Sequence, residues 1–267
     1  MLKKFNLVTG GAIVLFLILV FIVSFFYVPH NVNQMNIENR LIAPNHNYLL
    51  GTDNFGRDVL SRIMKGTQTA FIVGGGSVII GLLFGILIGT TAGYFGGWMD
   101  ELLMRMIDAL LAFPGILLAL ILVTIFQPNI EVTVIAIGIM TIPSFSRVIR
   151  SGFIKCKQMD FVRAARNFGS SHLRIIFHHI LPNTVSSIIV TASLSFSTAI
   201  LVEAALSYLG LGVQPPDPSW GRMLNEAQGF AKLAPWYTLA PGFMLTLTIL
   251  GFNLLGDGIR DLHDFSE

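Results

Sequence analysis

The chain has 267 residues, of which 53% are hydrophobic and only 12% are charged. A soluble domain carries about 25% charged residues, so this chain could not cover a water-facing surface, and a membrane protein is favoured. The net charge of +2 is too small to indicate a nucleic-acid partner, and the single cysteine, Cys156, excludes an internal disulfide framework.

The first predicted element is a transmembrane helix, which together with the short tail before it covers residues 1–28. Lys3 and Lys4 precede an uncharged run over 8–28, about as long as the roughly 20 residues needed to cross a bilayer. A signal peptide would have a shorter apolar core and a small-x-small cleavage site, which residues 24–27 do not provide. Residues 29–69 follow as a predicted extracytoplasmic loop.

Five further apolar stretches predict an all-α integral membrane protein with six transmembrane helices. The stretches cover residues 70–94, 107–126, 132–145, 184–206 and 236–255. They form a predicted core domain over 70–257, which a tail over 258–267 follows. In the first stretch glycine recurs at every fourth position, at Gly81, Gly85, Gly89 and Gly93. Residues four apart share one helix face, which predicts close helix packing; a face that lines a pathway is the alternative.

The distribution of basic residues predicts the orientation of the chain. If the N-terminus is inside, the inner segments contain clearly more lysine and arginine than the outer segments, as the positive-inside rule requires. Both termini are therefore expected in the cytoplasm. The inner loop over 147–182 carries most of this excess, which could also serve simply to anchor the chain to anionic lipid.

The same loop has a pattern that charge alone does not explain. Residues 163–168 form a compact helical turn, Gly169 interrupts it, and helical spacing of apolar residues resumes from Leu173 until Pro182. Because glycine breaks a helix and proline cannot continue one, the pattern predicts a helix–turn–helix at the inner surface. A short helix with exposed apolar residues at that surface suits a groove on a partner protein.

The loop resembles the EAA loop of ABC importer permeases, which forms the coupling helix that docks into the ATP-binding subunit. The positions assigned to the coupling loop are Arg163, Ala164, Ala165, Phe168, Gly169, Leu173, Leu181 and Pro182. Arg163 stands where the family has glutamate, and His179 where it has isoleucine. This variant is common in the branch that imports dipeptides, oligopeptides and nickel. Further blocks similar to that branch extend across nearly the whole chain, at residues 50–62, 92–114, 203–221 and 253–261.

The resemblance implies the type I ABC importer permease fold and a permease subunit that moves small peptides across the bacterial cytoplasmic membrane. Nickel or another metal chelate is the alternative substrate, and a stand-alone channel or secondary transporter is a distant alternative. The implied partners are a second homologous permease, two ABC ATPases that carry ATP and Mg, an extracytoplasmic solute-binding protein and membrane lipid. This chain itself would be non-catalytic and bind no cofactor or metal. It contains no G-x-x-x-x-G-K-S/T pattern, so ATP is not expected on it.

Two acidic residues are further candidates. Glu203 lies within an otherwise apolar helix near the predicted outer interface, where it could be a structural partner or a substrate gate. Asp108 comes three residues after Arg105, a spacing that predicts an ion pair between the two on one helix face.

Overall fold

The computed structural model describes residues 2–263 of the chain, which are mostly helical. Within this described range, five helices are long and apolar enough to cross a bilayer. They are α1 (Leu2–Phe26), α2 (Val59–Phe95), α5 (Ile130–Lys157), α8 (Leu181–Tyr208) and α10 (Pro235–His263). A bent pair, α3 (Gly97–Leu111) and α4 (Gly115–Phe126), provides a sixth crossing if it counts as one span. The predicted all-α membrane fold is confirmed.

The third predicted span is interrupted in the middle. The helices α3 and α4 meet at an angle of 82° within the apolar run over 107–126. Pro114 occupies the position just before α4. Proline has no N–H to donate and disfavours a helical conformation in the residue before it. The bend in this span is therefore located at Pro114.

The other spans are longer than the apolar runs that predict them. Helix α2 begins at Val59, within the predicted loop over 29–69, because the Asp58 carboxylate accepts a hydrogen bond from the Ser61 N–H at 2.9 Å and caps the helix. With 37 residues, α2 is about 55 Å long, well beyond the roughly 30 Å of the hydrocarbon core. Helix α10 likewise continues into the predicted tail over 258–267, of which residues 264–267 lie outside the described part.

The alternating directions of the helices give the molecule two different ends. We call the end that holds residues 27–58 and 209–234 the loop end, and the end that holds residues 157–181 the α6 end. At the loop end a short helix, α9 (Trp220–Ala227), packs on α2. The Trp220 side chain is buried, and its Nε1 donates a hydrogen bond to the Ile63 carbonyl at 3.2 Å.

The α6 end contains two short helices, α6 (Asp160–Asn167) and α7 (His172–Arg174). Between them Gly169 has a φ of +77°, a left-handed conformation that glycine adopts without strain. The predicted interruption at Gly169 is confirmed.

The second part of the predicted helix–turn–helix does not end at Pro182. A π-helical turn over Ile175–Ile180 connects α7 directly to α8, so the chain remains helical through the proline. Pro182 is the second residue of α8, which directly follows the π turn. The prediction of an end at Pro182 is wrong, because a local π-helical adjustment lets a helix continue through a proline that donates no N–H.

Candidate partner-docking site

The segment from α6 to α7 has one buried face and one exposed face. The buried side chains belong to a core cluster that also includes residues from α2, α5 and α8. The α6 segment and the π turn contribute four side chains to this cluster, namely Val162, Ile175, Ile176 and Ile180. On the other face, Phe168 is 90% exposed and Leu173 is 68% exposed, with Phe161 and Ala164 also exposed. We call these four exposed residues the α6 surface. Exposed apolar side chains grouped on a short helix are typical of a docking site for another protein.

One polar contact attaches this segment to a spanning helix. The hydroxyl of Tyr94, at the end of α2, forms a 2.7 Å hydrogen bond with His172 Nδ1. The ammonium of Lys157, the last residue of α5, donates to the Tyr94 carbonyl at 2.5 Å and so joins the adjoining ends of α5 and α2. The Tyr94 contact and the buried cluster therefore hold the segment against the ends of α2 and α5.

The structure places the predicted coupling residues in different environments. Arg163, Ala164 and Phe168 are exposed on α6, Ala165 is half-buried against the core cluster, and Leu173 is exposed on α7. Gly169 lies in the turn between α6 and α7. The remaining two, Leu181 and Pro182, belong to the start of α8 and lie on the membrane-spanning side of the π turn. The α6 surface therefore includes Ala164, Phe168 and Leu173 but not the Leu-Pro pair.

The glycine face of α2 lies against α5 of the same chain. A Cβ atom on Gly85 would lie 2.3 Å from the Cβ of Phe145, and one on Gly81 would lie 2.1 Å from Thr141 Oγ1. For Gly89 and Gly93 the nearest atoms are also on α5, at 2.7 Å. Helix α5 thus approaches α2 so closely that side chains on this face have no room.

Glu203 is buried near the loop end of α8, with 1% of its surface exposed. Its Oε1 accepts a hydrogen bond from the Ser207 hydroxyl at 2.7 Å, and the same hydroxyl accepts one from the Val213 N–H at 3.2 Å. Ser219 lies beside the carboxyl, but Oε2 has no partner in hydrogen-bond geometry among the described residues. The carboxyl is therefore linked through Ser207 to the loop that follows α8.

Sequence reasoning missed a group of charged residues at the loop end. Arg57 donates from Nε to Asp53 Oδ2 at 2.5 Å and from Nη2 to Glu226 Oε2 at 2.8 Å. Arg62 lies 3.6 Å from each of the same two carboxylates, and the Tyr237 hydroxyl donates to Glu226 at 3.1 Å. We call these five residues the loop-end network. It connects residues that precede and begin α2 with α9 and α10.

The network stabilises the charged forms of Glu226 and Arg57. Burial disfavours the charge of Glu226, but Arg62 and Arg57 outweigh this effect, so the pKa of Glu226 lies below its usual value. Burial also disfavours the charge of Arg57, yet Asp53 and Glu226 raise its pKa above the usual value. The sequence signal for the network was the group of charged residues in the 50–62 block, but its partner Glu226 is 169 residues from Arg57.

The predicted ion pair of Asp108 with Arg105 is wrong. Asp108 Oδ1 accepts a 2.6 Å hydrogen bond from Arg147 Nη2 on α5, and Arg105 instead lies 3.6 Å from Glu101. Helix α3 packs beside α5, which brings a basic residue from another helix closer to Asp108 than the one on its own helix.

Known proteins agree with this architecture. The class of protein that this fold of spanning helices belongs to is a component of a membrane transport system, as its family profile shows. The chain belongs to the family of binding-protein-dependent transport system inner membrane components, whose family profile matches residues 81–266. The predicted family and fold class are thereby confirmed.

Two curated relatives cover almost the whole chain. The dipeptide transport system permease protein DppC of Alkalihalophilus pseudofirmus is 45% identical over 98% of this chain and 87% of its own length. The glutathione transport system permease protein GsiD of Pectobacterium atrosepticum is 40% identical over 98% of this chain and 88% of its own.

Solved structures show the same fold at low sequence identity. The MetNI methionine ABC transporter, in an inward-facing conformation, includes a chain with a TM-score of 0.59 and 15% identity, covering 76% of this chain and 96% of its own. An amino acid ABC transporter gives a TM-score of 0.56 at 17% identity, over 77% of this chain and 94% of that one.

Proposed function

We propose that this chain is the permease subunit of an ATP-driven importer of small peptides. The observation that carries the proposal is the α6 surface, an exposed apolar face on a short segment that is held against the ends of α2 and α5 by the Tyr94–His172 contact and the buried cluster. In this proposal the α6 end faces the cytoplasm, where two ATPase subunits receive the α6 surfaces of this chain and of a second permease. The loop end faces the solute-binding protein. The excess of basic residues near α6 supports this orientation.

The proposed mechanism is alternating access driven by the ATPases. When the ATPases close on ATP, they move the two α6 segments. The Tyr94–His172 contact would pass this movement to α2, and the Lys157–Tyr94 bond joins α2 to α5. ATP can shift the equilibrium only if the ATPases bind one arrangement of the permeases more tightly than the other. The chain supplies the docking helix and half of the pathway, and the ATP chemistry belongs to the partners.

Peptides are the proposed substrate class because the two relatives described above transport a dipeptide and glutathione according to their names. The same names do not favour the nickel alternative.

A large cavity of about 1280 Å³ between α1, α2 and α10 is not proposed as the pathway. Its lining is apolar apart from a few groups such as Thr238 and Thr246, and a peptide backbone would leave its N–H and C=O groups without partners there. The pathway is expected between the two permeases.

The test is uptake of a labelled dipeptide by cells that produce the complete transporter. Phe168→Asp should abolish uptake and release the ATPases on purification, because it places a charge in an apolar docking cleft. The matched control is Ile37→Asp, which changes a side chain 81% exposed at the loop end. It should leave ATPase association intact.

Since Phe168 is almost fully exposed, its replacement should not change the amount of protein in the membrane. Normal ATPase association and uptake by Phe168→Asp would contradict the docking assignment. Uptake of nickel but not of any dipeptide by the wild-type transporter would overturn the substrate class.

A further inference from the structure

The α6 end contains a basic recess that neither the docking helix nor the transport pathway explains. A cavity of about 350 Å³ extends between the ends of α2, α3 and α5 and one side of α6, and a second of about 300 Å³ adjoins it. Both are lined by Lys157, Arg163 and Arg166. The larger one alone has about ten times the roughly 30 Å³ that a water molecule occupies, which is enough for a small charged group.

The positive charge in this recess is poorly compensated. Its acidic lining residue, Asp100, is already engaged by Arg150, whose Nε and Nη2 donate to the carboxylate at 2.5 and 2.6 Å. Arg163 lies 3.9 Å from Asp160, but that carboxylate is fully exposed and the pair is screened by water. Arg166 has no ion-pair partner among residues 2–263. The recess therefore has the electrostatic character of an anion site.

The surroundings of the recess place it at the level of lipid headgroups. Its upper wall includes Ala92, Gly93 and Ile154, which belong to the spanning helices α2 and α5. Beside it, Phe95 and Trp98 are 53% and 69% exposed. Aromatic side chains exposed at the end of a spanning helix are typical of the boundary between headgroups and hydrocarbon.

Helix α3, which starts at the recess, adds an apolar face of its own. Trp98, Leu102 and Met106 are all exposed, and their spacing of four residues puts them on one side of the helix. A lipid whose headgroup occupies the recess could place its acyl chains along this face. If the recess instead received an acidic side chain of an ATPase, that side chain would leave the exposed apolar face of α3 without a partner.

We propose that the recess binds the phosphate headgroup of an anionic phospholipid. Lys157, Arg163 and Arg166 would hold the phosphate. Because Arg163 and Arg166 belong to α6 and Lys157 ends α5, the bound lipid would join the docking helix to the spanning bundle. Basic recesses between spanning helices on the cytoplasmic side are known to hold anionic headgroups. The inference does not depend on which solute is carried.

The test measures lipid retention by the complete transporter. The complex is purified, incubated with equal amounts of phosphatidylglycerol and phosphatidylcholine, and analysed by native mass spectrometry. Wild type should retain phosphatidylglycerol in preference. The Arg166→Gln variant should weaken this retention about five-fold and Lys157→Gln/Arg166→Gln on the order of 30-fold, since each basic residue contributes about 1 kcal/mol near an anionic headgroup.

The matched control is Arg105→Gln, which removes one charge from α3 at a residue that does not line the recess. It should retain phosphatidylglycerol as wild type does. Arg166 is exposed and has no ion-pair partner in the described part of the chain, so its single variant tests the site with folding intact, as thermal unfolding would verify. Equal retention by wild type and the double variant would overturn the proposal.

Two further outcomes would also overturn it. Displacement of the lipid by glycerol 3-phosphate at equal concentration would show a site for soluble phosphates rather than for lipid. Retention that occurs only after the ATPases have been removed would show that the recess receives an acidic group of the ATPase.

Discussion

The two ends of the molecule use their charges in different ways. At the loop end, Asp53 and Arg62 are at most 1% exposed, and they and their partners form a network of ion pairs. At the α6 end, Arg163 and Arg166 are exposed, and the apolar Phe168 is exposed with them. Buried paired charges hold parts of one chain together, whereas exposed charges beside exposed apolar groups are available to bind a partner. The comparison teaches that the charges of the loop-end network join segments of this chain, whereas those of α6 are left for another molecule.

The largest expected effect comes from breaking the loop-end network. Asp53→Asn should lower the free energy of unfolding by about 3–5 kcal/mol, because it leaves the buried guanidinium groups of Arg57 and Arg62 short of a countercharge. Thermal unfolding of the purified transporter measures this. Glu38→Gln, at an exposed acidic residue of the same end, is the control and should have little effect. An unchanged unfolding temperature for Asp53→Asn would show that the network does not hold this end together.

In the middle of the molecule, the stability of the α2–α5 contact should depend on the side-chain volume at Gly85. Gly85→Leu should destabilise the bundle by about 1–3 kcal/mol, because the added atoms would overlap Phe145 of α5. Gly75→Leu is the control on the same helix, since a Cβ there meets nothing within 4 Å. If an Ala, Val and Leu series at Gly85 kept full stability while uptake fell with volume, the glycine face would line the pathway instead.

The loop end should also lose stability in acid. The pKa of Glu226 is lower in the folded protein than its usual value of 4.5, so the unfolded chain takes up a proton first as the pH falls. Its contribution is therefore present above about pH 4.5 and is lost as the pH falls through the lower folded value. Glu226→Gln should flatten this part of the unfolding-temperature profile. A profile identical to that of wild type would contradict the charge assignment.

The smallest effect is expected from an exposed ion pair near the α6 end. The Asp108 and Arg147 side chains are 58% and 55% exposed, and such pairs contribute at most about 1 kcal/mol. Asp108→Asn should therefore change the unfolding temperature far less than Asp53→Asn does. If Asp108→Asn and Asp53→Asn lowered the unfolding temperature by similar amounts, the two ends would not differ in how their charges contribute to stability.

Sequence patterns predicted the spans and the short helix α6 because both depend on residues close together in the chain. Apolar runs found the central parts of the long helices, and Gly169 marked the turn after α6 correctly. The patterns missed the start of α2, where a charged segment continues the helix beyond the apolar run. The size of the bend at Pro114 was also beyond them, because the sequence stays apolar on both sides of it.

These local patterns could not predict contacts between segments that are far apart in the chain. Glu226 meets Arg57 only because α9 folds back onto the start of α2, and Asp108 meets Arg147 only because α3 packs beside α5. Local spacing could suggest a partner such as Arg105 for Asp108, but it could not compare that residue with one on another helix.

The length of α2 has a geometric consequence. This unbroken helix carries Arg62 of the loop-end network near its start and Tyr94, which holds the α6 segment, near its end. A rod that pivots near its centre moves its two tips in opposite directions. A tilt of α2 that draws Arg62 toward the molecular axis therefore carries Tyr94 away from it. This helix alone therefore cannot open the loop end and the α6 end of the protein at the same time.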